Sequence, residues 1–211
     1  MSLLSKIVVA FSLLISLSAK AHPVTFEGGT ALYTVLRPSM SKVQINYSIS
    51  SRYALGLSYR RYKLGEEQIE AGHPQMNVLA WRHNGDAGQA NLYLLGGLGY
   101  GQNRAKEQDF FYWIGAQSDY ETRTFYTAFK AQAFKFRGQE PYGLQYRIGV
   151  SPYEAEYDEL QSWIIGQIDY FPQMSSRIKI TPMMRFFYQN ALWEIGASIE
   201  GHIWLQLMAH F

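Results

Sequence analysis

The feature that most constrains this chain is an alternation of apolar and polar residues with period two. It recurs in segments of about ten residues and continues to the C-terminus. In residues 203–211, Ile203, Leu205, Leu207, Ala209 and Phe211 share one face, and Trp204, Gln206, Met208 and His210 share the other. Trp193, Ile195, Ala197 and Ile199 oppose Glu194, Gly196, Ser198 and Glu200. Ile178, Ile180, Met184, Phe186 and Tyr188 oppose Lys179, Thr181, Arg185 and Gln189. The same holds for Tyr142, Leu144, Tyr146, Ile148 and Val150 against Gly143, Gln145, Arg147 and Gly149. Near the start, Val43, Ile45, Tyr47 and Ile49 alternate with Gln44, Asn46 and Ser48, and Tyr53, Leu55, Leu57 and Tyr59 with Ala54, Gly56, Ser58 and Arg60. Successive side chains of a strand point to opposite faces, so this period reads as β-structure. Residues 75–84, 89–100, 110–120, 123–136 and 160–171 are strand-like with a less regular parity. Residues 24–36 are the weakest strand, because Gly28-Gly29 interrupts them. No helix of useful length and no domain boundary is visible, so residues 22–211 read as one all-β domain.

Residues 1–21 read differently. Lys6 precedes an apolar run over residues 7–17, and Ala19-Lys20-Ala21 follows as an A-x-A cleavage site. This tripartite pattern predicts an export signal peptide. The run is shorter than the roughly 20 residues that span a bilayer as a helix. Removing Lys6 and Lys20 leaves 17 of the 19 basic residues against 17 acidic ones. A neutral mature chain gives no electrostatic reason to expect nucleic acid as a partner. With no cysteine in the sequence, disulfide frameworks, zinc–thiolate sites and cysteine nucleophiles are excluded.

Which face meets what decides the class. Charged residues make up 17% of the chain and aromatics 16%, while the mean hydropathy is only −0.19. The polar faces carry Arg60, Lys130, Arg147, Asp169, Arg185 and Glu194, and the opposite faces are almost free of charge over ten residues at a time. A soluble sandwich or lipocalin-like barrel would place its charge outside. Lipid outside and a polar lumen inside explain the pattern directly.

A signal peptide, period-two strands and a final apolar strand ending in Phe211 make the chain resemble a small Gram-negative outer-membrane β-barrel. The resemblance implies a transmembrane antiparallel up-and-down barrel in the outer membrane, in contact with the lipid bilayer and lipopolysaccharide. It also implies that residues 203–211, with Phe211 last, serve as the signal for the barrel-assembly machinery. Counting residues 24–36 gives twelve strands, an even number with both termini at one end. The alternative is ten strands with an N-terminal plug. Residues 51–52, 84–88, 121–122 and 190 read as short turns on the terminal side. Residues 65–74 and 101–109 read as longer charged outer loops, and 152–159 as an exceptional long connection on the terminal side. Most aromatics then read as interfacial girdle. Trp81, Trp163 and Trp193 fall near one interface. Tyr59, Tyr62, Tyr100, Phe110, Phe111, Tyr112, Phe134, Phe136, Tyr142, Tyr170 and Phe171 fall near the other.

The lumen charges allow two readings. They either fill the barrel as paired groups or form a narrow passage or binding site for a small polar solute. The passage is the first expectation, with Arg60, Lys130, Arg147, Asp169, Arg185 and Glu194 lining it. A plugged structural or surface-interaction barrel is the alternative. An outer-membrane lipid hydrolase or acyltransferase is the third reading. Ser58 and His83 would meet across neighbouring strands with Asn84 following, but no G-x-S-x-G motif supports them. The chain is therefore read as non-enzymatic. The run Gly96-Gly97-Leu98-Gly99-Tyr100-Gly101 lacks the Lys and following helix of a phosphate loop, and reads as a bend or close approach within a strand. His22 would carry a free amine beside its imidazole after cleavage, a pair suited to copper-type metals, yet no second ligand stands near it. No metal or cofactor is expected.

Overall fold

The computed structural model describes residues 22–175 and 177–211; the expected signal peptide lies outside the described residues. The described chain forms twelve strands: β1 (Thr30–Arg37), β2 (Met40–Ser48), β3 (Tyr53–Leu64), β4 (Glu67–Asn84), β5 (Gln89–Asn103), β6 (Gln108–Glu121), β7 (Phe125–Phe136), β8 (Tyr142–Val150), β9 (Gln161–Tyr170), β10 (Lys179–Tyr188), β11 (Ala191–Ala197) and β12 (Ile203–His210). Each pairs antiparallel with its sequence neighbours, and β1 closes on β12. The twelve-strand expectation holds, and there is no helix among the described residues. Closure gives every strand two partners, which a sheet at membrane depth requires.

The exterior is a band of aliphatic side chains. Leu57, Leu94, Ile114, Ile148, Ile164, Ile180 and Ile195 all point outward and are exposed. Residues of the opposite parity, such as Gln44, Asn46, Ser58, Gln75, Asn77, Gln167 and Thr181, point inward and are buried. The inside-out parity read from the sequence is therefore the parity of the barrel. One irregularity explains the uneven parity of residues 75–84. A β-bulge between Leu79 and Trp81 shifts the register against β5. Odd-numbered residues of β4 face inward up to Leu79, and beyond it Trp81 faces outward.

Three expectations need correction. Residues 65–74 are not a loop: all but Gly65 and Glu66 belong to β4, so the β3–β4 hairpin turns within two residues. The charge of Glu66, Glu67 and Glu70 and the His73-Pro74 step imitated a turn. Second, the connections at the end opposite the termini are not systematically longer. The longest, residues 151–160, lies at the terminal end. Third, several aromatics assigned to the girdle lie inside. Tyr62, Phe111, Phe134, Phe136, Trp163 and Phe171 are buried in the lumen. Trp81, Tyr59, Tyr100, Phe110 and Tyr142 do face outward.

The ten-strand alternative is not realised, but part of its plug is. His22 and Val24 are buried within the barrel. The His22 ring stacks on Tyr93 of β5 with centroids 5.9 Å apart. Tyr33 Oη of β1 donates to the His22 carbonyl, and Asn77 Nδ2 of β4 donates to the Pro23 carbonyl at 2.9 Å.

Candidate functional site: the lumen

The six charged residues expected inside are all there, on six strands. Arg60 is on β3, Lys130 on β7, Arg147 on β8, Asp169 on β9, Arg185 on β10 and Glu194 on β11. Glu194 is the centre of the best-paired group. Its Oε1 accepts from Arg185 Nε at 2.6 Å and its Oε2 from Arg147 Nη2 at 2.8 Å, with the carboxylate fully buried. The guanidiniums also lie over rings from further round the wall. Arg185 lies 4.2 Å from the Tyr126 ring centroid and Arg147 5.5 Å from that of Trp204. Two charge-assisted bonds to one carboxylate are the arrangement in which a buried charge is tolerable.

Asp169 has a different set of partners. Arg37 Nη1 of β1 is 3.4 Å away, and Gln145 and Gln167 donate to it at 2.8 and 2.6 Å. Asp119 on β6 accepts from Asn91 at 2.7 Å and from Gln117 at 3.2 Å. Arg60 meets only neutral acceptors: Ser58 Oγ at 3.2 Å, Tyr62 Oη at 3.3 Å and Gln75 Oε1 at 2.9 Å. Gln75 passes the chain on to Asn77 at 2.6 Å, and Asn77 to the Pro23 carbonyl. A ladder of side chains therefore ties Arg60 to the N-terminal segment.

The interior is divided. On the β3–β7 side, away from the termini, aromatics close it: Tyr62, Phe111 and Phe134 stack together, and His73 lies on Phe111 with centroids 5.4 Å apart. Elsewhere three cavities follow one another. A vestibule of about 570 Å³ opens at the terminal end. A central cavity of about 130 Å³ shares Glu121, Arg185 and Leu192 with it. A distal pocket of about 20 Å³ shares Arg37 and Phe171 with the central cavity. The ion-paired residues Arg185 and Arg37 thus mark the two junctions.

No protein-family model and no curated protein sequence matches the chain. Solved structures do. A KdgM porin in complex with disordered oligogalacturonate is similar with TM-score 0.51 and 9% identity, over 87% of this chain and 98% of that one. The KdgM porin on its own is similar with TM-score 0.48 and 10% identity, over 87% and 98%. LpxR from Salmonella typhimurium is similar with TM-score 0.44 and 7% identity, over 87% and 99%. The fold is that of an outer-membrane β-barrel. At such identities the similarity is one of fold alone.

Two further outcomes concern residues. Ser58 and His83 do not meet. Ser58 lies opposite His73 in the β3–β4 register, whereas His83 lies opposite Ala90 at the far end of β4, exposed and stacked on Trp81. Lys42 and Arg37, both at the lumen, were not singled out in the sequence. Lys42 continues the inward series of Gln44 and Asn46, so the parity of β2 read one step further would have found it. Arg37 sits next to Pro38 at a strand end, where alternation gives no signal.

Proposed function

We propose that this protein is a narrow passage for small polar solutes across the outer membrane of a Gram-negative bacterium, with its termini in the periplasm. The observation that carries the reading is the run of three cavities joined at Arg185 and at Arg37 beneath a lipid-facing exterior. An apolar outer face supports membrane insertion, and a polar, ion-paired interior has no use for lipid. Export by residues 1–21 fits the same reading. So does hand-over of the last strand to the barrel-assembly machinery, with Phe211 bonded through its backbone to Thr30 at 2.8 and 2.9 Å. In this reading the Arg37–Asp169 pair is the constriction, because the distal pocket beyond it is the smallest of the three.

The aromatic stack across the lumen favours a second reading, a plugged barrel of structural use. Planar-bilayer recordings of the purified protein separate the two. The passage predicts small, reproducible conductance steps that grow when Arg37→Ala or Asp169→Ala removes the constriction. Bilayers that stay silent with the wild type and with both variants would overturn the passage and leave the plug.

A further inference from the structure

We infer that the central cavity holds a binding site for a small oxyanion, a carboxylate or phosphate group, cradled by Lys42, Arg60 and Lys130 over the edge of Trp113. This deepens the proposed passage by giving the solute a charge, and it rests on that reading.

Donors outnumber acceptors at this cavity. All four residues line the central cavity. Arg60 and Lys130 share one ring: the Arg60 guanidinium lies 3.6 Å from the Trp113 ring centroid and Lys130 Nζ 5.8 Å from it. Lys42 faces the Tyr33 ring at 5.5 Å from the adjoining wall. Among the described residues, none of these three cations has a carboxylate within 4 Å. Aromatic faces and neutral amides stabilise a cation but do not neutralise it. Charges removed from water need a counter-charge, and three cations around one cavity repel one another.

Of the acidic groups at or beside the cavity, Glu121 stands at the terminal end of β6, on the edge shared with the vestibule, and the others are bonded to other partners. Glu194 is saturated by Arg147 and Arg185, Asp169 by Arg37 and two glutamines, and Asp119 by Asn91 and Gln117.

A second observation points the same way. Three buried N–H groups at this cavity have no acceptor: Trp113 Nε1, Arg147 Nε and Arg37 Nε. A buried donor without an acceptor costs free energy. These three N–H groups and the three cations call for the same complement, an anion with several acceptor oxygens. A dry cavity of about 150 Å³ takes a molecule the size of benzene, so the central cavity, at about 130 Å³, suits a phosphate or a short carboxylate.

The test uses the folded barrel in detergent micelles, labelled with 15N on the tryptophan indole, with sodium phosphate and sodium acetate as probes. Trp113→Phe assigns the resonance. The Trp113 Nε1–H signal is expected to shift and saturate with at least one probe, and not with sodium chloride at equal ionic strength. Arg60→Gln and Lys130→Gln should each weaken binding by about tenfold, the worth of one charge-assisted hydrogen bond. Lys135→Gln, an exposed cation paired with Glu140, should leave it unchanged. Heat-modifiable migration on gels shows that each variant is folded. A signal that does not saturate, or equal shifts with chloride, overturns the site. That failure is distinct from failure of the passage, since conductance of neutral or cationic solutes would persist without an anion site.

Discussion

Tyr62 and Phe134 stack with ring centroids 4.1 Å apart, although three strands separate β3 from β7 around the wall. Two inward side chains a third of the way round a twelve-stranded wall touch only where that part of the barrel section is filled. Truncating either ring leaves a hole that neighbouring strands, locked by their ladders, cannot close. Phe134→Ala should therefore cost about 3 kcal/mol or more, as buried Phe-to-Ala changes do. Urea unfolding from lipid vesicles followed by tryptophan fluorescence measures it. A loss below 1 kcal/mol would mean that the stack contributes little.

Glu194 is the acceptor for two arginines, so it should be less replaceable than either donor. Glu194→Gln leaves two buried guanidiniums facing a neutral amide. The expected loss is about 3–5 kcal/mol, the range for breaking a buried ion pair. The triple replacement of Arg147, Arg185 and Glu194 by Met should be milder than Glu194→Gln alone, because no charge is left stranded. The same urea titration ranks the variants, and the reverse order would contradict the argument.

Gly99 of β5 lies against β4 where Pro74 interrupts the ladder. Pairing stops at Gly72↔Tyr100 and resumes at Gln75↔Gly97. A Cβ on Gly99 would come within 2.5 Å of the Gly72 carbonyl oxygen and 2.8 Å of His73 Cβ. A backbone oxygen cannot step aside cheaply, so Gly99→Ala should push β4 and β5 apart and lower the yield of folded barrel. Gly138→Ala tests the opposite case, since a Cβ there meets nothing within 4 Å and only the positive φ of 77° is strained. Comparing heat-modifiable folded fractions checks the difference.

Leu57 and Gln117 test which face meets lipid. Leu57→Arg puts a charge on the outer wall and should cost about 2–4 kcal/mol near the bilayer midplane. Gln117→Arg places the same charge in the lumen beside Asp119 and should be nearly neutral. Equilibrium folding into vesicles distinguishes them, and equal costs would refute the inside-out assignment.

The architecture was legible because alternation is a local property. Each ten-residue segment such as 142–150 or 203–210 carries its own two faces, and lipid keeps charge off one of them. Where local pattern failed, the causes were equally local. The bulge between Leu79 and Trp81 reverses parity in mid-strand. Consecutive aromatics from Phe110 to Trp113 erase the contrast between faces. The site was legible only in part. Period two placed Arg60, Lys130, Arg147, Asp169, Arg185 and Glu194 inside, but their partners depend on which strands face each other across the lumen. Arg147–Glu194 and Arg37–Asp169 each bridge strands that are not ladder neighbours, a relation that no spacing along the chain records.

The segment containing His22 and Val24 lies inside a wall whose seam is the pairing of β1 with β12. Ala31 meets His210 there, nearly the whole described chain apart. The earliest described residues are therefore enclosed only when the latest arrive. Contacts of such long sequence separation form slowly. Full enclosure of the segment therefore comes with the β1–β12 seam, the pairing that joins the two ends of the chain.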